Sequence, residues 1–133
     1  MNKSGQKTRD IKFYSKKNDA MIIVHSREAR AYTKHLEDWA DVRSYVAGKP
    51  IDSTRLQLIS TVDIRGDYFK QCWESDFYLL LTDGTVAVRE LITTSDLTKR
   101  AEVEKLELSR RYWRSVGVTN WKIICVGGNQ DVY

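Results

Sequence analysis

The chain has 133 residues, 41% of them hydrophobic and 30% charged, with a net charge of +4 and a pI of about 9.1. That length is enough for one domain with a real core and no disulfide staples, and the composition is ordinary for a soluble globular protein. Apolar runs such as FYLLL (77–81) are far too short to cross a bilayer, and the two cysteines, Cys72 and Cys125, fit no zinc-ligand spacing, so the reading is of reduced, buried thiols and no membrane.

Residues 1–18 read as a basic flexible arm, in which Lys3, Lys7, Arg9, Lys12, Lys16 and Lys17 carry much of the positive excess. An arm of this kind suits contact with phosphates, and equally a solvated tail. Its start, MNKSGQKTRD, has no apolar h-region of a secretory signal, and a cytoplasmic location is expected. Residues 19–133 form the single folded domain.

AMIIVHS (20–26) is a short strand or extended lead-in. Ser26 then caps a helix through REARAYTKHLEDWADV (27–42), with Ala29, Tyr32, Leu36 and Trp39 at helical spacing and Glu28 in the first turn. VRSYVAGKPI (42–51) is extended. Leu56–Ile64 and Tyr68–Trp73 flank Arg65-Gly66-Asp67 and predict a hairpin. SDFYLLLT (75–82), apolar on both faces, predicts a central strand. Asp83-Gly84 turns it back into TVAVRELI (85–92). After TTSD (93–96), a helix is predicted over Leu97–Val116, with a stripe of Leu97, Ala101, Leu108, Tyr112 and Val116 widened by Leu106 and Trp113, and Gly117 closing it. WKIICV (121–126) is the last strand. Strand–helix–strand is a crossover unit, which makes TVAVRELI and WKIICV parallel neighbours. The order predicts a mixed-sheet α/β domain.

Within TVAVRELI, Glu90 shares a face with Val86, Val88 and Ile92 by strand alternation. A carboxylate among aliphatic side chains must find a partner or lose its charge, and a metal ion, a cation or a catalytic proton would each serve. Asp76, on a face with Tyr78 and Leu80, lies seven residues before Asp83, and Glu90 seven after it. The two acids therefore meet at the open end of the hairpin. With Glu28 from a helix start they compose a candidate site for Mg²⁺ (or Mn²⁺), an ion held by oxygen ligands and able to activate water against a phosphodiester. Solvated strand-end acids are the alternative. His25 and His35 sit in separate contexts, and neither a nucleophile motif nor a Gly-rich phosphate loop is present.

The segment from DFYLLLTDGTVAVRELI to EKLELSRRYW (104–113), then Gly117 and the W-x-I of 121–123, resembles the catalytic domain of the TnsA-type transposon endonucleases. These belong to the restriction-endonuclease-like, PD-(D/E)xK nucleases. The resemblance spans roughly residues 20–126, with SREARAY similar to the family's first-acid helix and Lys49 standing where Gln is usual. It implies a restriction-endonuclease-like mixed β-sheet flanked by helices and an endonuclease acting on DNA. It places the family's first acid on Glu28, its strand Asp on Asp76 and its next acid on Glu90, with metal held by Asp76 and Glu90. The family's acid-x-Lys reads Glu90-Leu91-Ile92 here, so Ile92 stands in the lysine position. Loss of one such preorganised group costs a hundred- to thousandfold in rate. Lys105 is a candidate substitute, while Arg89 faces the other side of its strand. The alternative is a weakened or inactive nuclease fold that serves as a DNA- or protein-binding module. Lys12, Lys16, Lys17 and Lys105 are the candidate DNA contacts, with Arg110, Arg111 and Arg114 at the helix end. The family carries a further C-terminal domain, and this shorter chain is similar to stand-alone nuclease domains of phages. A transposition or phage-assembly protein is then a possible partner and the virion a possible location.

Overall fold

The architecture comes from a computed structural model that describes residues 10–126 and the backbone of Asn2–Lys3. Nine elements are named: strands β1 (Asn2–Lys3), β2 (Ile11–Ser15) and β3 (Ala20–Val24), helix α1 (Arg27–Asp38), strands β4 (Val42–Pro50), β5 (Trp73–Leu81) and β6 (Val86–Thr93), helix α2 (Arg100–Ser115) and strand β7 (Asn120–Val126). β4, β5, β6 and β7 lie side by side in that order, and β1 pairs with the start of β5. The β4–β5 and β5–β6 pairs are antiparallel and β6–β7 is parallel, as the tight Asp83-Gly84 turn and the crossover helix require. The protein is thus a mixed-sheet α/β fold. Among the described residues no helix is long and apolar enough to cross a membrane.

Each face of the sheet carries its own core. Phe77, Leu79 and Ala87 pack with Tyr32 and Leu36 of α1 and with Phe13 and Val24. Val88 and Trp73 pack with Leu108, Tyr112 and Trp113 of α2 and with Leu56, Ile59 and Ile64. Ala87 and Val88 are neighbours in opposite cores, which is the period of two that a strand imposes.

Ser26 caps α1 as its sequence predicts, its Oγ accepting from Ala29 N at 3.0 Å. The helix ends at Asp38, earlier than expected, because Lys17 Nζ takes up the carbonyls of Trp39 and Val42, the latter at 2.6 Å. Gly117 (φ +90°) closes α2 as expected, with Val118 N reaching back to Trp113 O at 2.8 Å.

Four expectations are corrected. The basic arm is folded from Ile11 onward: Ile11–Ser15 pairs with Ala20–Val24 in a hairpin, since Phe13 and Ser15 alternate inward and are buried. The side chains of Lys3, Lys7 and Arg9 lie outside the described residues. The predicted hairpin over 56–73 is two 3-10 turns, Ser53–Leu58 and Gly66–Lys70. Leu56, Ile59 and Ile64 are buried at spacings that no strand alternation gives. Their connecting backbone is held by α2 instead: Arg111 Nη1 donates to the carbonyls of Ser60 (2.9 Å) and Val62 (2.8 Å), and Glu104 accepts from Arg65 N (2.9 Å). α2 starts at Arg100, after a 3-10 turn over Thr94–Thr98, and Val116 is exposed beyond its end. Both cysteines are free but exposed, Cys72 just before β5 and Cys125 on the last strand of the sheet.

One irregularity places Asp76. The β4–β5 ladder pairs Ala47 with Phe77 and Lys49 with Ser75, and passes over Gly48 and Asp76. Gly48 takes φ +75°, and a Cβ there would stand 2.8 Å from Glu74 Oε1. Across this point the alternation of β5 reverses: Trp73 and Ser75 face α2, whereas Phe77 and Leu79 face α1. Asp76 is the pivot, so the face it was expected to share with Tyr78 and Leu80 is not set by simple alternation. Gly48→Ala is predicted to lower the unfolding free energy by about 1–2 kcal/mol in urea titrations. Gly66→Ala, where nothing lies within 4 Å of the added Cβ and φ is ordinary, is expected to stay within about 0.5 kcal/mol of the parent.

Candidate functional site

The end of β6, the pivot of β5 and the start of α1 converge on an acidic cleft of about 200 Å³. Glu28 and Asp76, two of the three acids named from the sequence, line it together with Asp96 and Glu102. Glu28 arrives through the capped first turn of α1, where a negative charge also suits the helix dipole. Asp76 is fixed by its own backbone and by that of β6: Leu91 N donates to Asp76 Oδ2 at 2.8 Å. Asp96 comes from the 3-10 turn after β6, and its hydrogen bond with Lys99 holds its carboxyl below the usual range. Lys105 Nζ lies 3.6 Å from Glu102 and over the Tyr68 ring.

Glu90 does not line the cleft. It is fully buried on the α2 side of the sheet, as its alternation with Val86 and Val88 predicts. Its Oε1 accepts from Asp76 N at 2.9 Å. Its Oε2 accepts from the hydroxyls of Ser75 (2.8 Å) and Ser109. Behind these stand two indoles: Trp113 Nε1 donates to Ser75 Oγ at 2.7 Å, and Trp121 Nε1 to Ser109 Oγ at 3.0 Å. The partners of Glu90 among the described residues thus include two hydroxyls and an amide. Burial pushes its carboxyl up to about 7, with the charge of Asp76 acting in the same direction, against the hydrogen bonds from Ser109 and Asp76 N.

The other candidates are spread out. Ile92, 6% exposed, forms part of the cleft wall. Arg89 is buried, and its guanidinium donates to Asn120 and to Val88 O. Lys12 and Lys16 are exposed on the β2–β3 hairpin. Lys17 Nζ donates to the carbonyls of Trp39 and Val42 at the end of α1. Asp96, Glu102, Ser75 and Ser109 were missed as site or support residues. Ser109 had a legible signal, a small polar residue inside an otherwise apolar helix stripe. Asp96 and Glu102 had none, because their approach to Asp76 depends on where α2 begins.

The donor set of the cleft is all oxygen, which fits a hard divalent ion such as Mg²⁺. Among the described residues no three carboxylate, histidine or cysteine side chains stand close enough together to form a ready-made metal centre. Compared with known proteins, the chain matches no family model and no curated protein sequence.

The raised carboxyl of Glu90 makes stability depend on pH. Its folded value of about 7 lies above the ordinary 4.5, so between these limits the folded state binds the extra proton. Its stabilising contribution is complete below pH 4.5 and is lost as pH rises through 7, by about 3 kcal/mol in all. Glu90→Gln is predicted to lack this decline when both proteins are unfolded with urea at pH 5 and pH 8. A wild-type stability that rises over this range relative to Glu90→Gln would show the carboxylate to be charged in the fold.

Proposed function

We propose that the chain is a TnsA-like domain of the restriction-endonuclease-like class, acting on DNA phosphodiester bonds with Mg²⁺ or Mn²⁺. The observation that carries this reading is the meeting of Glu28 and Asp76, 48 residues apart in sequence, on one acidic cleft. The element order supports it: a helix, three antiparallel strands, a helix and a parallel strand build a mixed sheet with a helix on each face, as expected for that class.

In this reading Asp76 and Glu28 are the principal holders of the ion, with Asp96 and Glu102 beside them. The ion, when bound, supplies charge stabilisation at the phosphate and activates water. The protein's own residues do the positioning. Leu91 N orients the Asp76 carboxylate, the Ser26 cap sets Glu28, and Glu90 holds the Asp76 amide from below. Glu90 is then a positioning residue, not a direct ligand as the family pattern implies.

A second reading is a weakened or inactive nuclease fold that binds DNA or an assembly partner. Ile92 favours it, because it brings apolar bulk to the cleft wall where the family pattern has a cation. Plasmid nicking with Mg²⁺ and Mn²⁺ separates the two. The endonuclease reading expects nicking by wild type, lost in Asp76→Ala. Restoration of nicking only in Ile92→Lys would favour the disarmed module. Silence from all three proteins would remove the cleft as a nuclease site.

A further inference from the structure

At the C-terminal end of α2, Arg110, Arg111 and Arg114 line a second depression, of about 310 Å³, against Leu58, Ile59 and Ser60. Arg55 adjoins it, its guanidinium reaching the carbonyl of Ser115, another lining residue, at 3.5 Å. Four guanidinium groups are gathered here. Among the described residues the acid ion-paired with them is Glu107, which Arg110 and Arg111 share, and Asp52 lies near enough to Arg55 to feel its charge. Arg114 is exposed and its side chain makes no ion pair or hydrogen bond among the described residues, and the Nε of Arg55 is buried without a partner.

The helix dipole accounts for a cation at this end, at roughly 0.3–1 kcal/mol for each surface charge. It does not account for concentrating three in one concavity with a fourth, Arg55, beside it, where like charges repel. Arg111 has a structural task, clamping the carbonyls of Ser60 and Val62. Arg110 pairs with Glu107 on its own helix, and Arg114 has no side-chain partner among the described residues. Arg110 and Arg114 stand one turn apart, about 6 Å along the helix axis: the Arg114 fork has no side-chain partner among the described residues, while Arg110, whose Nε and Nη2 hold Glu107, keeps Nη1 for an anionic oxygen. Leu58, 77% exposed on the rim, offers apolar surface beside them. This combination of forked cations and a hydroxyl over an apolar rim matches a sugar–phosphate backbone.

We infer that this groove is a DNA backbone-binding site, separate from the acidic cleft. The inference rests on the DNA reading above and deepens it. Glu102 in the cleft and Arg114 in the groove are twelve residues apart, about 18 Å along α2. Affinity and chemistry are therefore divided between the two ends of one helix. Phosphate contacts of this kind fix position without reading sequence.

The test is fluorescence anisotropy with labelled duplex and single-stranded DNA of random sequence, titrated from 50 to 200 mM salt. The variants are Arg110→Glu/Arg114→Glu and the milder Arg110→Gln/Arg114→Gln. The control is Lys34→Glu/Arg43→Glu, which makes the same change of net charge at two exposed positions elsewhere. The inference expects at least a tenfold loss of affinity in the Glu variant and a smaller loss in the Gln variant. It expects the log–log salt slope to fall by about two in the Glu variant, with the control within threefold of wild type. Wild-type DNA binding that both groove variants retain would overturn the groove and leave the DNA reading standing. Equal losses in groove and control variants would reduce the attraction to net charge and overturn it too. No DNA binding by wild type at 50 mM salt would overturn both readings together.

Discussion

The carboxylate of Glu90 sits in the middle of a hydrogen-bond chain that begins and ends on an indole. Trp113 donates to Ser75, Ser75 and Ser109 donate to Glu90, and Trp121 donates to Ser109. These side chains come from β5, β6, β7 and α2, so one acid ties three strands to the helix that covers them. An acid buried without partners would cost several kcal/mol. Here each oxygen is met by a donor, and loss of any one would leave a buried acceptor short at a cost of about 1–3 kcal/mol. A network of this kind fixes a single arrangement of its strands because few others satisfy every member.

The acidic cleft inherits its shape from that network. Asp76 is bound in both directions to β6: its amide donates to Glu90 and its carboxylate accepts from Leu91 N. These bonds continue the contact between β5 and β6 beyond its last regular pair, Phe77 with Arg89, at the point where the β4–β5 ladder also passes over Asp76. The strand thus gives up regular pairing where its acid has to turn toward the cleft. Next along β6, Ile92 closes the wall with methyl groups. An acid-lined cavity with an apolar wall and no arginine in its lining suits a cation better than a bare phosphate. That is the physical reason the arginines at the far end of α2 matter to the DNA reading.

The β5–β6 hairpin, the crossover and both helices were legible because each has a strong local signal. Ser26 before an amphipathic stretch, Asp83-Gly84 between two apolar strands, and Gly117 after a stripe all act over a few residues. The β2 strand was obscured by lysines: Ile11 and Phe13 alternate correctly, but Lys12, Lys16 and Lys17 drew the reading toward a tail. The 51–72 segment was illegible for a different reason. Its backbone is satisfied by Arg111 and Glu104, some forty to fifty residues away, and no local pattern encodes that. At the site, the proximity of Asp76 to Glu90 followed from the turn between them. Their different roles did not, since the burial of Glu90 depends on Ser75 and Ser109 meeting it from two elements.

The cleft acids, and not Glu90, are proposed to be the groups available to a divalent ion. Mn²⁺ titrated into ¹⁵N-labelled protein tests it directly through paramagnetic broadening of amide signals. Broadening is expected to centre on Glu28, Asp76 and Asp96 at substoichiometric Mn²⁺, to be abolished in Asp76→Asn and to be retained in Glu90→Gln. Broadening that survives Asp76→Asn but disappears in Glu90→Gln, or none at all near the cleft, would contradict it.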